Sequence, residues 1–140
     1  GGIMKEIIYA SEKNLDVAEF IEVLKNSKLA ERRPVSDEQR ISSMCNNANL
    51  IVTARVDGKL VGVARSITDF VYCTYLSDLA VDLEFQKQGI GKRLIEETKK
   101  ATPQGKLILL SAPDAVDFYP RIGMTKHNHC YFLDDISDLK

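Results

Sequence analysis

The residues with the clearest chemical potential form the segment from Gln86 to Arg93, which reads QKQGIGKR. Its two glycines, Gly89 and Gly91, stand where an apolar, strand-like segment changes into an amphipathic helical pattern. The first N–H groups of a helix have no partner within the helix, and the positive end of the helix dipole lies behind them. Glycine leaves such N–H groups unobstructed because it has no Cβ. The pattern therefore predicts a site for a phosphate or diphosphate group.

Two well-known phosphate-binding motifs do not fit this segment. A Rossmann motif, Gly-x-Gly-x-x-Gly, needs a third glycine, and Leu94 stands at that position. A P-loop, Gly-x-x-x-x-Gly-Lys-Ser/Thr, agrees with the chain at Gly91 and Lys92. However, Gln86 replaces its first glycine and Arg93 replaces the hydroxyl residue that would hold Mg²⁺. A different phosphate-binding loop is required.

Periodic patterns on both sides of this segment predict the elements that position it. The predicted strands are 4–9, 50–56, 60–67, 71–81 and 106–111, with a closing hairpin from 124–127 and 131–133. Helices are predicted from an N-cap at Asn14 to Asn26, from a capping box of Ser36 and Gln39 to residue 47, after Gly91 to residue 101, and over 114–121. Asp57-Gly58 predicts a type I′ hairpin turn.

This order of elements predicts an α+β fold. The sheet is expected to be mixed and mostly antiparallel, with about seven strands flanked by helices. The strand–helix–strand unit over 71–111 predicts one parallel pair. A chain of 140 residues is long enough for one domain, expected over 4–140, and residues 1–3 read as a tag remnant.

The net charge and the residue patterns give no sign of a nucleic acid, a membrane or a metal ion as partner. The net charge of -1 gives no electrostatic reason to expect nucleic acid or an anionic membrane surface. No apolar run approaches the roughly 20 residues of a membrane span, and no signal-peptide pattern is present. Three cysteines and two histidines show no metal-ligand spacing, so no metal is expected. These features favour a cytoplasmic location.

Three motifs carry a resemblance to a known family. Gln86 to Gly91 resembles the Gln/Arg-x-x-Gly-x-Gly/Ala signature of the GNAT superfamily of N-acetyltransferases, and Leu79-Ala80-Val81 resembles that family's fourth strand. Phe118 to Met124, FYPRIGM, is similar to its late Tyr-x-x-x-Gly-Phe segment. The chain is identified by these motifs as a small, bacterial-type, single-domain member of the GNAT superfamily.

The resemblance implies acetyl-CoA as co-substrate and a small amine as acceptor. The fourth and fifth strands would run parallel and splay apart, with the thioester in the gap and with Val81 and Ser111 at the strand ends. Lys87, Lys92 and Arg93 would add charge toward phosphate oxygens or form a solvated basic helix start. The family often forms dimers, which leaves a homodimer open. The implied cofactor-binding residues are Leu79, Ala80, Val81, Gln86, Lys87, Gln88, Gly89, Ile90, Gly91, Lys92, Arg93, Asp114, Phe118 and Tyr119.

The resemblance also implies catalytic roles. Tyr119 aligns with the family's general-acid tyrosine, which protonates the leaving thiolate. Tyr75 stands where some members carry a glutamate base, so Asp78 becomes the candidate base. Asp78 can equally be a structural carboxylate that caps a turn or pairs with a basic residue, with water taking the proton instead. Ala112 replaces a frequent asparagine, so that coenzyme contact is lost or passes to Asp114 or to backbone groups.

The expected activity is therefore transfer of an acetyl group to a primary amine of a small molecule. Two alternatives remain open: a non-catalytic acetyl-CoA-binding sensor, and an acetyltransferase that acts on protein N-termini or lysines.

Overall fold

A computed structural model describes residues 5–140, so the expected tag remnant and Met4 lie outside the described residues. The chain divides into two compact units, with the boundary between Leu110 and Ser111. The predicted single domain over 4–140 stays a prediction.

The first unit contains one five-stranded sheet in which the strands follow sequence order. Neighbouring strands are antiparallel, except that β4 and β5 are parallel as predicted. The strands are β1 (Ile8–Ser11), β2 (Leu50–Val56), β3 (Lys59–Thr68), β4 (Cys73–Val81) and β5 (Lys106–Ile108). The α-helices of this unit are α1 (Val17–Asn26), α2 (Glu38–Asn47) and α3 (Ile90–Ala101), and 3₁₀ helices lie at Leu29–Arg32 and Leu83–Phe85.

Alternation along the strands gives the sheet two buried faces. Phe20 of α1 and Ile41 of α2 share a buried apolar cluster with one set of strand residues. Ile90 and Leu94 of α3 share a second cluster with the alternate set. Gly62 of β3 permits this second contact, because a Cβ there would lie 3.0 Å from Ile90 and 3.1 Å from Leu94. The sheet therefore separates α1 and α2 from α3.

Local turn and cap chemistry explains where the elements begin. Asp57 and Gly58 have φ of +50° and +82°, which confirms the predicted type I′ turn between β2 and β3. The helix caps differ from prediction by one or two residues. Asp16 caps α1 by accepting from the Ala18 N–H at 3.3 Å, and Asp37 caps α2 by accepting from Arg40 at 3.1 Å.

The prediction of seven strands was wrong. The described chain has five strands, and residues 124–133 form no strand, so the closing hairpin is absent from that part of the chain. β5 ends at Ile108 rather than at Ser111. Alternation of apolar and polar residues describes a surface that could join a sheet, but a strand forms only where a second backbone completes its hydrogen bonds.

The second unit contains one short α-helix, α4 (Phe118–Arg121), and two single turns of 3₁₀ helix at Pro113–Ala115 and Ile136–Asp138. The predicted helix over 114–121 is thus divided into two. Gly123 ends α4 as predicted, with φ of +99°, and the N–H of Met124 donates to Tyr119 C=O at 3.0 Å. Together with the bond from Gly123 to Pro120 at 3.1 Å, this forms a Schellman motif.

Candidate active site

The loop between β4 and α3 turns sharply before the helix begins. Asp82 accepts from the Glu84 N–H at 2.9 Å and so caps the 3₁₀ turn Leu83–Phe85. The chain then passes through two left-handed conformations, at Lys87 (φ +63°) and at Gly89 (φ +80°). Gly89 is the N-cap of α3, and its C=O accepts from the Arg93 N–H at 3.0 Å. We use the name 86–93 loop for residues 86–93, which comprise the end of this turn and the first residues of α3.

The 86–93 loop presents unpaired backbone donors. The N–H groups of residues 87–92, six in succession, have no acceptor among residues 5–140. Residues Lys87, Gln88 and Gly89 are exposed, and a Cβ built on Gly89 would meet no atom within 4 Å. Open donors at the N-terminus of a twelve-residue helix suit an anion with several oxygens, such as a diphosphate.

The end of β4 offers a second set of backbone groups, which no neighbouring strand among residues 5–140 pairs. β4 and β5 pair only from Cys73–Lys106 to Tyr75–Ile108, while β4 continues to Val81. The Asp82 N–H donates to Val61 C=O at 2.8 Å, so the N–H and C=O of Val81 point away from β3, and those of Leu79 do the same by alternation. Gln86 Nε2 donates to Val81 C=O at 3.1 Å. The pairing with β5 thus ends at Tyr75, six residues before β4 ends, and the predicted splay of the two strands stays a prediction.

The three basic side chains of the loop differ in their surroundings. Arg93 forms an ion pair with Glu97 at 2.8 Å and lies 4.6 Å from the centre of the Tyr9 ring. Lys87 and Lys92 are exposed and make no ion pair within the described part of the chain. Arg93 therefore has internal partners, whereas the two lysines present free charge beside the open N–H groups.

Asp78 lies in a buried ion-pair cluster that the sequence did not reveal. Its carboxylate is fully buried and accepts from Arg33 Nε with one oxygen and from Arg65 Nε with the other. Ser77, the extra residue of a β-bulge in β4, also accepts from Arg33 at 2.8 Å through its C=O and from Arg65 at 2.9 Å through its hydroxyl. We call Arg33, Arg65, Ser77 and Asp78 the Asp78 cluster.

Every nitrogen of the two guanidinium groups in this cluster donates a hydrogen bond. The remaining nitrogen of Arg33 donates to Arg32 C=O at 2.8 Å, and that of Arg65 to Met44 C=O at 3.1 Å. Both carboxylate oxygens of Asp78 accept a charged donor, so neither faces an incoming amine. Of the two interpretations of Asp78, this geometry favours the structural carboxylate that pairs with basic residues.

The second unit holds the other predicted site residues. Tyr119 is half-buried on α4, and its ring makes an edge-to-face contact with Phe118 at 5.1 Å between centroids. Burial raises the pKa of the Tyr119 phenol above its usual value, so the group is protonated at neutral pH. Asp114 is exposed on the 3₁₀ turn.

Two features are absent from the described residues: a cluster of metal-ligating side chains and a helix that could span a membrane. Residues 5–140 contain no group of three or more His, Cys, Asp or Glu side chains that could hold a metal ion. Among the same residues, no helix has the length and apolar content to cross a membrane.

An open helix N-terminus after a strand that continues beyond its parallel partner is a backbone site suited to an anion with several oxygens. In agreement with this geometry, a family model described as "Acetyltransferase (GNAT) domain" matches residues 10–138. The chain belongs to this GNAT acetyltransferase family, which confirms the resemblance seen in the motifs.

Individual relatives agree with this assignment. The chain is 28% identical over 145 residues to "GCN5-related N-acetyltransferase 2, chloroplastic" of Arabidopsis thaliana. The match covers 87% of the chain and 55% of that relative, so the chain spans about half of the relative's length.

Two solved structures share the fold at low sequence identity. A GNAT family acetyltransferase from Streptococcus pneumoniae TIGR4 aligns with a TM-score of 0.71 and 19% identity, covering 94% of this chain and 98% of that one. Aminoglycoside N-acetyltransferase AAC(6')-Iy in complex with CoA aligns with a TM-score of 0.74 and 13% identity, covering 96% and 97%.

Proposed function

We propose that this chain is an acetyl-CoA-dependent N-acetyltransferase that transfers an acetyl group directly to a primary amine of a small molecule. The observation that carries the proposal is the run of six N–H groups at residues 87–92, which have no acceptor among residues 5–140 and follow a strand without a β5 partner beyond Tyr75. The coenzyme diphosphate would accept from these N–H groups. The amide-bearing arm of the coenzyme would pair with the N–H and C=O of Leu79 as an added strand, and its thioester end would reach the Val81 N–H.

The chemistry needs three tasks: polarisation of the thioester carbonyl, protonation of the leaving thiolate and removal of a proton from the amine. Residues of this chain can be proposed for the first two. The Val81 N–H points away from β3 and is the proposed donor to the thioester carbonyl, because the Ala80 N–H faces β3. Tyr119 is the proposed acid that protonates the leaving thiolate, and its raised pKa keeps the proton available. Since both Asp78 oxygens are occupied, we propose that water rather than Asp78 removes the proton from the amine.

The other residues predicted to contact the coenzyme are part of this proposal. Backbone contacts are proposed from Gln86, Gln88, Ile90 and Gly91, and Asp114 and Phe118 stay predicted coenzyme contacts. A cytoplasmic location also stays a prediction, because the Arabidopsis relative is named as a chloroplast protein.

Two measurements test the proposal. Acetyl-CoA at 100 times its dissociation constant should raise the free energy of unfolding by about 2.7 kcal/mol. Thiol release from acetyl-CoA should then be followed with small primary amines, with a peptide that has a free N-terminus, and with a lysine peptide. Binding without thiol release from any acceptor would favour a sensor, and release with peptides alone would favour a protein acetyltransferase. No stabilisation at millimolar acetyl-CoA would contradict the whole proposal.

The role of Tyr119 has its own test. A positioned proton donor contributes about 10²–10⁴-fold to a rate, so Tyr119→Phe should lower kcat by about 10²-fold or more, with little change in the dissociation constant of acetyl-CoA. Tyr131→Phe removes the hydroxyl of an exposed tyrosine of the same unit and should leave kcat unchanged. Equal kcat values for Tyr119→Phe and the unmodified protein would remove Tyr119 from the mechanism.

A further inference from the structure

Three exposed apolar side chains form a continuous row across the sheet. Ile67 of β3 pairs with Tyr75 of β4, and Tyr75 pairs with Ile108 of β5. Residues directly opposite on paired strands project from the same face, so the three side chains are neighbours. They are 51%, 39% and 45% exposed, respectively. We call Ile67, Tyr75 and Ile108 the apolar row.

The apolar row is on the face of the sheet that also carries the Asp78 cluster. Arg65 and Asp78 oppose each other on β3 and β4, two and three residues from Ile67 and Tyr75. The alternate residues Thr74 and Leu76 are buried on the α3 face. The α1–α2 face is therefore covered at Arg65 and Asp78 but open to solvent at the apolar row.

The position of the row connects it with the proposed reaction. Tyr75–Ile108 is the last pair of β4 and β5, so the row ends where the predicted gap between the two strands would begin. An acceptor amine must approach a thioester in that gap from an adjoining surface. Contiguous exposed apolar side chains are a typical contact surface for an apolar group.

The charges around the row oppose a polycationic acceptor. Lys106, which pairs with Cys73, flanks one side, and Arg33 and Arg65 flank the other. The carboxylate of Asp78 is fully engaged by those two arginines. The exposed carboxylate of Asp69 beside Cys73 offsets one of these charges, so the surroundings of the row keep a small net positive charge.

We propose that the apolar row is the acceptor surface and that the acceptor is a small primary amine attached to an apolar or aromatic group. This inference rests on the proposed acetyltransferase function. An acceptor with several ammonium groups would meet the exposed ammonium group of Lys106 and the net positive charge of the Asp78 cluster, whereas an alkyl or aryl group would cover Ile67, Tyr75 and Ile108.

A series of amines tests this inference through thiol release. With propylamine, pentylamine and phenethylamine, kcat/KM should rise by about fourfold for each CH₂ group that becomes buried, which corresponds to about 0.8 kcal/mol. Kanamycin, a polycation, should be a poorer acceptor than phenethylamine. A flat series, or a preference for kanamycin, would overturn the inference while leaving the acetyltransferase proposal intact.

A matched pair of variants locates the effect. Ile67→Thr/Ile108→Thr keeps β-branched side chains but removes apolar area, and should lower kcat/KM for phenethylamine about tenfold more than for propylamine, with KM for acetyl-CoA unchanged. Ile8→Thr changes an isoleucine of equal exposure, 51%, on the far strand β1 and should leave this ratio unchanged. An unchanged ratio in the double variant would overturn the assignment.

A binding measurement separates the two proposals. If no amine or peptide releases thiol, the acetyltransferase proposal fails, and phenethylamine binding is then measured by NMR in the presence of CoA. Saturable binding that the double variant loses supports the apolar row as an amine site, and absence of binding overturns it.

Discussion

The Asp78 cluster lies in the second half of β4, and the 86–93 loop begins five residues after that strand ends. Their polar groups differ in whether they have hydrogen-bond partners. In the loop, six successive N–H groups have no acceptor among residues 5–140. In the cluster, both oxygens of Asp78 and every nitrogen of the two guanidinium groups have a partner.

The difference separates binding groups from structural ones. Unpaired N–H groups are tolerated in the exposed loop because water can solvate them, and a ligand can replace that water. A buried carboxylate without partners would be unstable, so the cluster can exist only when it is complete. Asp78 and Gly89 are both conspicuous in the sequence, but only the region around Gly89 retains open hydrogen-bonding capacity.

The largest expected effect is on stability, at Asp78. Removing one partner of a buried ion pair costs about 3–5 kcal/mol, so Asp78→Asn should lower the free energy of unfolding by at least about 3 kcal/mol in urea denaturation. Asp57→Asn is the control, because Asp57 is 72% exposed and its ion pair with Lys5 should contribute less than about 1 kcal/mol. Unchanged stability with lost turnover would instead assign Asp78 as the general base.

The second effect is on coenzyme affinity, at Gly89. An alanine with left-handed φ costs about 1–2 kcal/mol, so Gly89→Ala should lower stability by about that amount and redirect the N–H groups that follow. We expect the dissociation constant for CoA to rise about tenfold by calorimetry. Gly58→Ala is matched, since Gly58 has φ of +82° and equally open space, and it should lose stability without losing affinity. Equal affinities of the two variants for CoA would remove the loop from the binding site.

The smallest expected effect is at Lys87, where the contribution of the side-chain charge to CoA affinity can be separated from the contribution of the left-handed backbone to stability. Glycine at a left-handed position relieves strain but adds freedom to the unfolded chain, so Lys87→Gly should raise the free energy of unfolding by about 0.5–1 kcal/mol. Loss of the exposed charge should weaken CoA binding less than tenfold at low salt, and the difference should vanish at high salt. Lys28→Gly, with φ of +69°, should share only the gain in stability. A salt-independent loss of affinity would exclude an electrostatic role for Lys87.

Local chemistry decided which features could be predicted from the sequence. β2, the Asp57–Gly58 turn and the start of α3 follow from short-range periodicity and turn residues. The caps of α1 and α2 were placed one or two residues early, because Asn14 and Asp16, or Ser36 and Asp37, have similar capping chemistry. The closing hairpin failed because alternation over 124–133 does not show whether a partner strand is present.

At the site, contacts between residues far apart in the sequence could not be predicted. The open N–H groups of the loop were predictable because a helix start always leaves them. The partners of Asp78 are 45 and 13 residues away, at Arg33 and Arg65, and no local pattern connects them. The apolar row is equally non-local, because it depends on the register of three strands.

The short pairing of β4 with β5 affects how readily the protein self-associates when no coenzyme is bound. Unsatisfied strand backbone is a template on which a foreign strand can assemble, which is a route to self-association. On the proposed function, a bound thioester would cap this template. Resistance to aggregation and to proteolysis would then follow the acetyl-CoA supply of the cell, without any dedicated regulatory residue.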